Sequence, residues 1–181
     1  MILRIFAILL VLAVTVRADW KYSANRYDLR IATTSGEGTS PDGAAKTKLA
    51  VKYSAGKDGT MTIEFIVEGA GKMKGFGFDS YEGPDAAAAD GKFTRIVIER
   101  PGAKPFTLLT KVGGWYLGDA FYFAATEPNA HPGDVLKTVR AIQSGAAKVS
   151  VAVQDSRDAK KQLRADFATD GAADALGKLL K

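Results

Sequence analysis

The 181-residue chain contains no cysteine, and this absence excludes several kinds of protein chemistry. Without cysteine there can be no disulfide, no thiol nucleophile, and no iron–sulfur or cysteine-bound zinc site. The stability of the fold must therefore come from packing rather than from disulfide cross-links.

Histidine is nearly as scarce, because His131 is the only one. A site with several histidine ligands is therefore excluded, and the sequence predicts no metal and no other cofactor. His131 precedes Pro132 at the start of a predicted helix, where an exposed loop position is the simpler interpretation. An imidazole beside a carboxylate is a competent general base. However, no Gly-x-Ser-x-Gly motif supplies a nucleophile for it, so we predict no catalytic residue.

Long apolar runs are also missing, since a membrane-spanning helix needs roughly 18 apolar residues in a row. The N-terminal apolar run covers only residues 5–16 and follows Arg4. Val16 and Ala18 then place small side chains at the −3 and −1 positions before Asp19. This layout predicts a secretory signal peptide over residues 1–18, with cleavage near Ala18, rather than an uncleaved anchor. A lipoprotein is not expected, because no cysteine stands at the cleavage site.

Cleavage leaves 163 residues, Asp19–Lys181, and lowers the formal net charge from +5 to +3. A chain of this length buries enough surface for one core, so we predict a single β-sandwich-like domain over residues 19–181. The expected location is the periplasm or the exterior of a bacterial cell. Contact with a membrane is expected only through the signal peptide before cleavage.

Dense basic runs are absent as well, and we therefore predict no nucleic-acid partner. The nearest approach is the group of basic residues between positions 157 and 164. It is a candidate contact for an anionic surface, but a solubilising hairpin loop is the simpler interpretation. The group comprises Arg157, Lys160, Lys161 and Arg164.

Alternation of apolar and polar residues with a period of two dominates what the chain does contain. This period predicts strands with one buried face and one solvated face. Segments 35–45 and 80–91 are predicted as loops, and Lys57-Asp58-Gly59 as a hairpin tip. Short strands separated in this way favour an antiparallel β-sandwich. The predicted strands are 27–31, 48–53, 61–68, 75–78, 92–99, 119–124, 149–153 and 163–167.

Helical spacing replaces this alternation near the C-terminus. One predicted helix begins at Pro132 and stops before Gly145, and a second follows Asp170 as its cap. The predicted fold class is therefore mainly β (α+β), an antiparallel β-sandwich with two C-terminal covering helices. The apolar faces of the helices consist of Val135, Leu136, Val139 and Ile142, and of Ala172, Ala175, Leu176 and Leu179.

Aromatic residues concentrate in one segment, residues 113–124. Phe121 and Phe123 are interpreted as core-facing residues of a strand, and Trp115 and Tyr116 as residues at a hairpin edge. Aromatic faces bury a large area at low entropic cost, as in sugar-binding grooves. We therefore take Trp115, Tyr116 and, after them along the chain, His131 as candidate ligand-binding residues.

Two other segments are poor matches to known sites. Residues 69–78, GAGKMKGFGF, are similar to a phosphate-binding loop but lack its Gly-Lys-Ser/Thr ending and precede a predicted strand rather than a helix. The acidic residues at 79–90 do not match the spacing of a calcium-binding EF-hand. Neither segment is predicted to bind a ligand.

The start and the tail of the expected mature chain resemble the invasion-associated locus B family of exported bacterial proteins. The matching features are Asp19-Trp20, the segment "VLKTVRAIQSGAAKVSVAVQDS" and the segment "LRADFATDGAADALGKLL". The resemblance implies a small β-sandwich in the periplasm or at the cell surface, linked to association with host cells, without an established enzymatic activity. Members of the family usually carry cysteines that can pair, and this chain carries none.

The sequence therefore favours an exported, non-catalytic protein that binds or scaffolds something in the cell envelope. Its partner is expected to be an envelope protein or a small ligand of unidentified kind. One alternative is a module that binds a small ligand or a glycan through the aromatic residues. The least favoured alternative is a hydrolase that uses His131.

Overall fold

The structure, a computed structural model, describes residues 19–55, 59–83, 86, 93–126 and 133–181. The predicted signal peptide, turn residues 57–58, most of segment 84–92, and His131 with Pro132 lie outside these residues. The described elements are β1 (Lys21–Ala24), β2 (Leu29–Ser40), β3 (Gly43–Ser54), β4 (Thr60–Val67), β5 (Thr94–Glu99), β6 (Phe106–Leu109), β7 (Gly113–Leu117), β8 (Ala120–Thr126), α1 (Asp134–Gln143), β9 (Lys148–Gln154), β10 (Gln162–Phe167) and α2 (Ala172–Leu179).

The ten strands form one antiparallel sheet in the order β6-β5-β9-β10-β2-β3-β4-β8-β7, with β1 paired to β2. Strands β6 and β7 lie at opposite ends of this order, yet only residues 110–112 separate them in the sequence. Because the four residue steps from Leu109 to Gly113 span at most roughly 14 Å, the sheet must curl until its two ends approach each other. The predicted mainly β, antiparallel fold with two C-terminal helices is confirmed.

The core lies inside the curl and is rich in aromatic rings. Phe65 of β4 stacks on Phe123 of β8 and meets Phe167 of β10 edge-on, so strands from different parts of the sheet share one interior. Phe121 and Phe123 are fully buried, as expected from their positions in β8. Aromatic pairs of this kind stabilise a core by about 0.5–1.5 kcal/mol beyond the area they bury.

The two helices pack against each other and against the sheet. Helix α1 contacts β4, β5 and β6, whereas α2 contacts β1, β2 and β3. Each buries the apolar face that its spacing predicted, through residues such as Val139 and Leu176. Helix α2 begins after Gly171, which has a φ of 75° and gives no side-chain cap. No helix among the described residues is long and apolar enough to cross a membrane.

The predicted loop over 35–45 is wrong, because most of it belongs to the hairpin of β2 and β3. Gly36 and Gly38 are strand residues that allow β10 to pass closely. A Cβ atom on Gly36 would lie 2.6 Å from the ring of Phe167, and one on Gly38 would lie 2.5 Å from the carbonyl oxygen of Arg164. Glycine therefore marks close backbone approach here rather than a loop.

The predicted strand over 75–78 is also wrong. Phe76 and Phe78 are both buried with ring centroids 5.0 Å apart, but the chain turns between them and enters a 3-10 turn at Phe78–Tyr81. The N–H of Gly77 donates to a carboxylate oxygen of Asp155 at 2.8 Å instead of to a neighbouring strand. This contact holds the segment against the loop between β9 and β10.

Candidate ligand-binding surfaces

Trp115 and Tyr116 are neighbours in β7, so their side chains extend to opposite faces of the sheet. The Trp115 indole stacks on Tyr122 of β8, with ring centroids 5.6 Å apart and planes 11° from parallel. Tyr116 lies on the other face and meets Phe121 edge-on at 4.9 Å. The structure therefore does not bring Trp115 and Tyr116 into one patch, and the third candidate, His131, lies outside the described residues.

Each of the two aromatic candidates is partly exposed, Trp115 by 41% and Tyr116 by 40%. Partial burial raises the pKa of the Tyr116 phenol above its ordinary value of 10.0, and the nearby negative charges of Glu82 and Asp79 raise it further. Tyr116 therefore remains a neutral hydrogen-bond donor at physiological pH. Trp115 with Tyr122 forms a flat aromatic surface on the outer face.

An open hollow lies on the outer face of β5, β9, β10 and β2. It has a volume of about 760 Å³ and is open along one side. Period-two alternation accounts for the polar side chains in its lining, because the apolar residues of these strands face the core and most of their polar residues face outward. We call it the outer groove, and the outward-facing side chains that line it belong to Glu37, Thr39, Ala44, Phe93, Arg95, Val97, Ser150, Ala152, Gln154, Gln162, Arg164 and Asp166.

The register of the strands places two arginines in one row across the outer groove. Arg95 of β5 is opposite Ala152 of β9, and Ala152 is opposite Arg164 of β10. Arg164 is in turn opposite Thr39 of β2. Since neighbouring strands are about 4.8 Å apart, the backbones that carry the two arginines are separated by about 10 Å.

The adjacent row of the outer groove is acidic. Asp166 accepts a hydrogen bond from the Ser150 hydroxyl at 2.7 Å and lies 3.5 Å from the Lys148 ammonium. Lys148 also pairs with Glu99 at 3.3 Å. The hydrogen bond to Glu99, together with the negative charges of Asp166 and Glu99, raises the pKa of Lys148. The charge of Asp166 is therefore partly balanced within the protein.

A second open hollow, of about 550 Å³, lies beside the glycine-rich segment. Lys46, Lys72 and Lys74 line it together with three carboxylates, so it is not strongly positive. The N–H groups that a phosphate needs are already bonded, since Gly75 donates to Asp42 at 2.8 Å and Lys72 donates to the Gly69 carbonyl. A phosphate-binding loop is therefore not formed here.

The basic residues between positions 157 and 164 do not act as one patch. Arg157 lies 3.3 Å from Asp79 and 3.5 Å from the buried Asp155, so its charge is used within the protein. Burial alone would raise the pKa of Asp155, but hydrogen bonds from the N–H groups of Arg157 and Gly77, and the charge of Arg157, hold it below its ordinary value. Arg164, by contrast, lies in the outer groove.

Arg95 and Ala152 were not singled out by sequence reasoning. Each lies at an outward position of a predicted strand, but the pairing of β5 with β9, which are about fifty residues apart, has no signature in the sequence. Within the described ranges, no group of three or more histidine, aspartate or glutamate residues is arranged to hold a metal ion. Comparison with models of protein families, with curated proteins and with solved structures found no match.

Proposed function

We propose that this protein is an exported, non-catalytic binding or scaffolding protein of the bacterial periplasm or envelope, similar to the invasion-associated locus B proteins. The predicted signal peptide and the resemblance of the start and tail support export. The observation that carries the binding role is the outer groove. It is open and is lined by hydrogen-bonding side chains on regular strands.

The shape of the outer groove favours a large ligand over a small enclosed substrate. Pockets for small molecules are concave and bury most of the ligand surface. The outer groove instead presents side chains from four strands along one open surface. Strands hold such side chains in more defined positions than loops do, so the surface suits recognition of an extended partner.

Export is tested by expressing the full chain in a Gram-negative host and fractionating the cells. The expected result is a periplasmic or secreted product whose measured mass is that of a chain beginning at Asp19. A matched Leu10→Arg variant, which interrupts the apolar run, is expected to stay in the cytosol with residue 1 or 2 at its start. Unprocessed wild-type protein in the cytosol contradicts the proposal.

Ligand binding at the outer groove is tested with single-cysteine variants, since the chain has no cysteine of its own. Thr39→Cys places an environment-sensitive fluorophore at the groove, and Ser23→Cys places the same fluorophore at an exposed position of β1. A panel of purified envelope polymers and proteins is then titrated against both. A ligand that changes the fluorescence of labelled Thr39→Cys but not that of labelled Ser23→Cys supports the proposal. If no member of the panel changes the fluorescence at Thr39→Cys, the groove is not a binding surface for these ligands.

The aromatic alternative is supported by the Trp115–Tyr122 stack, because a flat, partly exposed pair of rings suits a sugar face. The test is tryptophan fluorescence during titration with a panel of neutral oligosaccharides. Binding through the stack is expected to change the emission and to disappear in Trp115→Ala. Tyr116→Phe, on the opposite face, is the matched control and should bind as wild type does. Unchanged emission with every sugar removes this alternative.

A further inference from the structure

Arg95 and Arg164 are cations of the outer groove whose charges are not used by the fold. No carboxylate among the described residues lies within ion-pair distance of either guanidinium. The Nε of Arg164 donates to the Gln162 side-chain oxygen at 2.8 Å, which orients the guanidinium and leaves its other two nitrogens for a ligand. Both arginines are exposed, and only Ala152 stands between them in the row.

The carboxylates of the groove do not cancel these two charges. Asp166 is engaged by Ser150 and Lys148, as described above. Glu37, on β2, lies between Asp166 of β10 and Lys46 of β3 in the register, so both carboxylates of the groove belong to the row next to the arginines. The arginine row therefore remains the most positive part of the groove.

Neutral hydrogen-bonding groups surround the arginine row. Gln154 and Gln162 lie opposite each other in the next row, and Thr39 continues the arginine row on β2. Phe93, half-buried, lies at the end of the groove beyond Gln154. This combination suits a ligand that carries many hydroxyl groups, a few anionic groups and one apolar ring face.

We propose that the outer groove binds an acidic oligosaccharide that bears carboxylates, with Arg95 and Arg164 each holding one carboxylate. This inference rests on the proposed function and names its ligand class. The planar guanidinium matches a carboxylate through two parallel hydrogen bonds. The separation of about 10 Å between the two strands means that one extended chain contacts both arginines with different sugar units.

Charge and shape favour a glycan over a nucleic acid or a lipid surface. Single-stranded nucleic acids need a succession of stacking aromatic residues and a longer basic track, but among the described residues that line the groove only Phe93 is aromatic. A lipid surface binds protruding basic and apolar residues, whereas the two arginines lie in a hollow with Ala152 at its floor. Recognition by hydroxyl and amide groups therefore fits best.

The experiment is a titration of the isotope-labelled chain, Asp19–Lys181, with oligogalacturonate, which carries one carboxylate on each sugar unit. Nuclear magnetic resonance maps the contacts and calorimetry measures Kd. Maltodextrin is the uncharged sugar control. Signals of Ala152, Gln154 and Gln162 are expected to shift with oligogalacturonate. Each of Arg95→Gln and Arg164→Gln is expected to weaken binding about tenfold, because each removes one charge-assisted pair.

Matched variants separate local recognition from general charge. Arg140→Gln removes an equal charge from the exposed face of α1 and should leave Kd unchanged. Ala152→Phe keeps both arginines but fills the space between them, and it should weaken binding by a similar factor. Loss of binding in Arg140→Gln equal to that in Arg95→Gln would show attraction by net charge alone and overturn the inference.

The remaining outcomes are also decisive. Shifts confined to residues outside the groove, or the absence of binding by oligogalacturonate, overturn the inference. If maltodextrin or a purified envelope protein nevertheless shifts the groove signals, the proposed binding function stands and only the acidic ligand class is wrong. If a single-stranded oligonucleotide, or vesicles containing anionic lipid, shift the same resonances as strongly as oligogalacturonate does, a carbohydrate ligand is also contradicted.

Discussion

The indole nitrogen of Trp20 donates a hydrogen bond to the backbone carbonyl of Ala168 at 3.0 Å. The backbone N–H of Trp20 donates to the carbonyl of Asp170 at the same distance, and the side chain is 5% exposed. Trp20, the second residue of the expected mature chain, is thus bound by two hydrogen bonds to the segment that leads into α2. We expect this contact to stabilise the packing of the segment at Trp20 against the segment that leads into α2.

Trp20→Phe is expected to lower the free energy of unfolding by about 1–3 kcal/mol, because it leaves the Ala168 carbonyl without its partner. Trp20→Ala also opens a cavity and should cost about 3–5 kcal/mol. Urea unfolding followed by circular dichroism measures both. Trp115→Phe, at the exposed Trp, is the matched control and should change stability by less than about 0.5 kcal/mol. Equal losses at the two tryptophans would contradict this account of Trp20.

Gly36→Ala is expected to destabilise the protein by about 1–3 kcal/mol. The added methyl group would meet the Phe167 ring at 2.6 Å and the Asp166 carbonyl oxygen at 2.7 Å, so β2 and β10 would have to separate. Gly113→Ala is the matched control in a strand, because its nearest new contact is 3.9 Å away. Thermal unfolding measures both variants. A Gly36→Ala melting temperature equal to that of Gly113→Ala would show that β10 does not require the close approach.

The strands that sequence reasoning located are those with a long alternation, such as β4 and β9. It placed a loop at Gly36 and Gly38 because glycine is read as a turn residue unless the neighbour that excludes a side chain is known. For Gly36 that neighbour is Phe167, and for Gly38 it is the backbone of Arg164, both more than 120 residues further along the chain. The strand expected at Phe76 and Phe78 failed for a similar reason, since a contact with the distant Asp155 holds the turn.

The position of the candidate site depends even more on which strands pair with each other. Trp115 and Tyr116 are candidates by composition, and because β7 is a strand, the alternation of its side chains places them on opposite faces of the sheet. Arg95 and Arg164 lie in one row only because β9 pairs with both β5 and β10. Periodicity assigns each arginine to an outward face, but it carries no information on which strands become neighbours.

Tyr116 provides a prediction for alkaline pH. Its pKa is raised by partial burial first and by Glu82 and Asp79 second. A raised folded-state pKa means that the stability contribution is complete below the unfolded pKa of about 10 and is lost as pH rises through the folded pKa. The phenol signal of Tyr116, followed by carbon nuclear magnetic resonance, should titrate above that of a model peptide. Glu82→Gln should move it part of the way back, and an unchanged midpoint in that variant would exclude the charge effect.

The Asp155 carboxylate joins the segment around Gly77 to the loop after β9. One oxygen accepts the Gly77 N–H at 2.8 Å, and the other accepts the Arg157 N–H at 2.9 Å. The Asp155 backbone N–H also donates to the Lys161 carbonyl. Because the carboxylate is buried and acts as acceptor in its ionised form, its protonation should loosen the loop after β9 and the segment around Gly77 together.

The pH dependence follows from the lowered pKa of Asp155. Between the folded pKa and the ordinary value near 3.8, the unfolded chain binds more protons, so stability rises with pH in that window. The contribution of Asp155 to stability is complete above the unfolded pKa and is lost as pH falls through the folded pKa.

Asp155→Asn should therefore lower the free energy of unfolding at neutral pH by about 1–3 kcal/mol. It should also reduce the slope of stability against pH at acidic pH, which we call the acid limb. Asp79→Asn, at the exposed partner of Arg157, should change stability by less than about 1 kcal/mol. Urea unfolding at a series of pH values measures these differences, and an acid limb that keeps its slope in Asp155→Asn would assign the effect to other carboxylates.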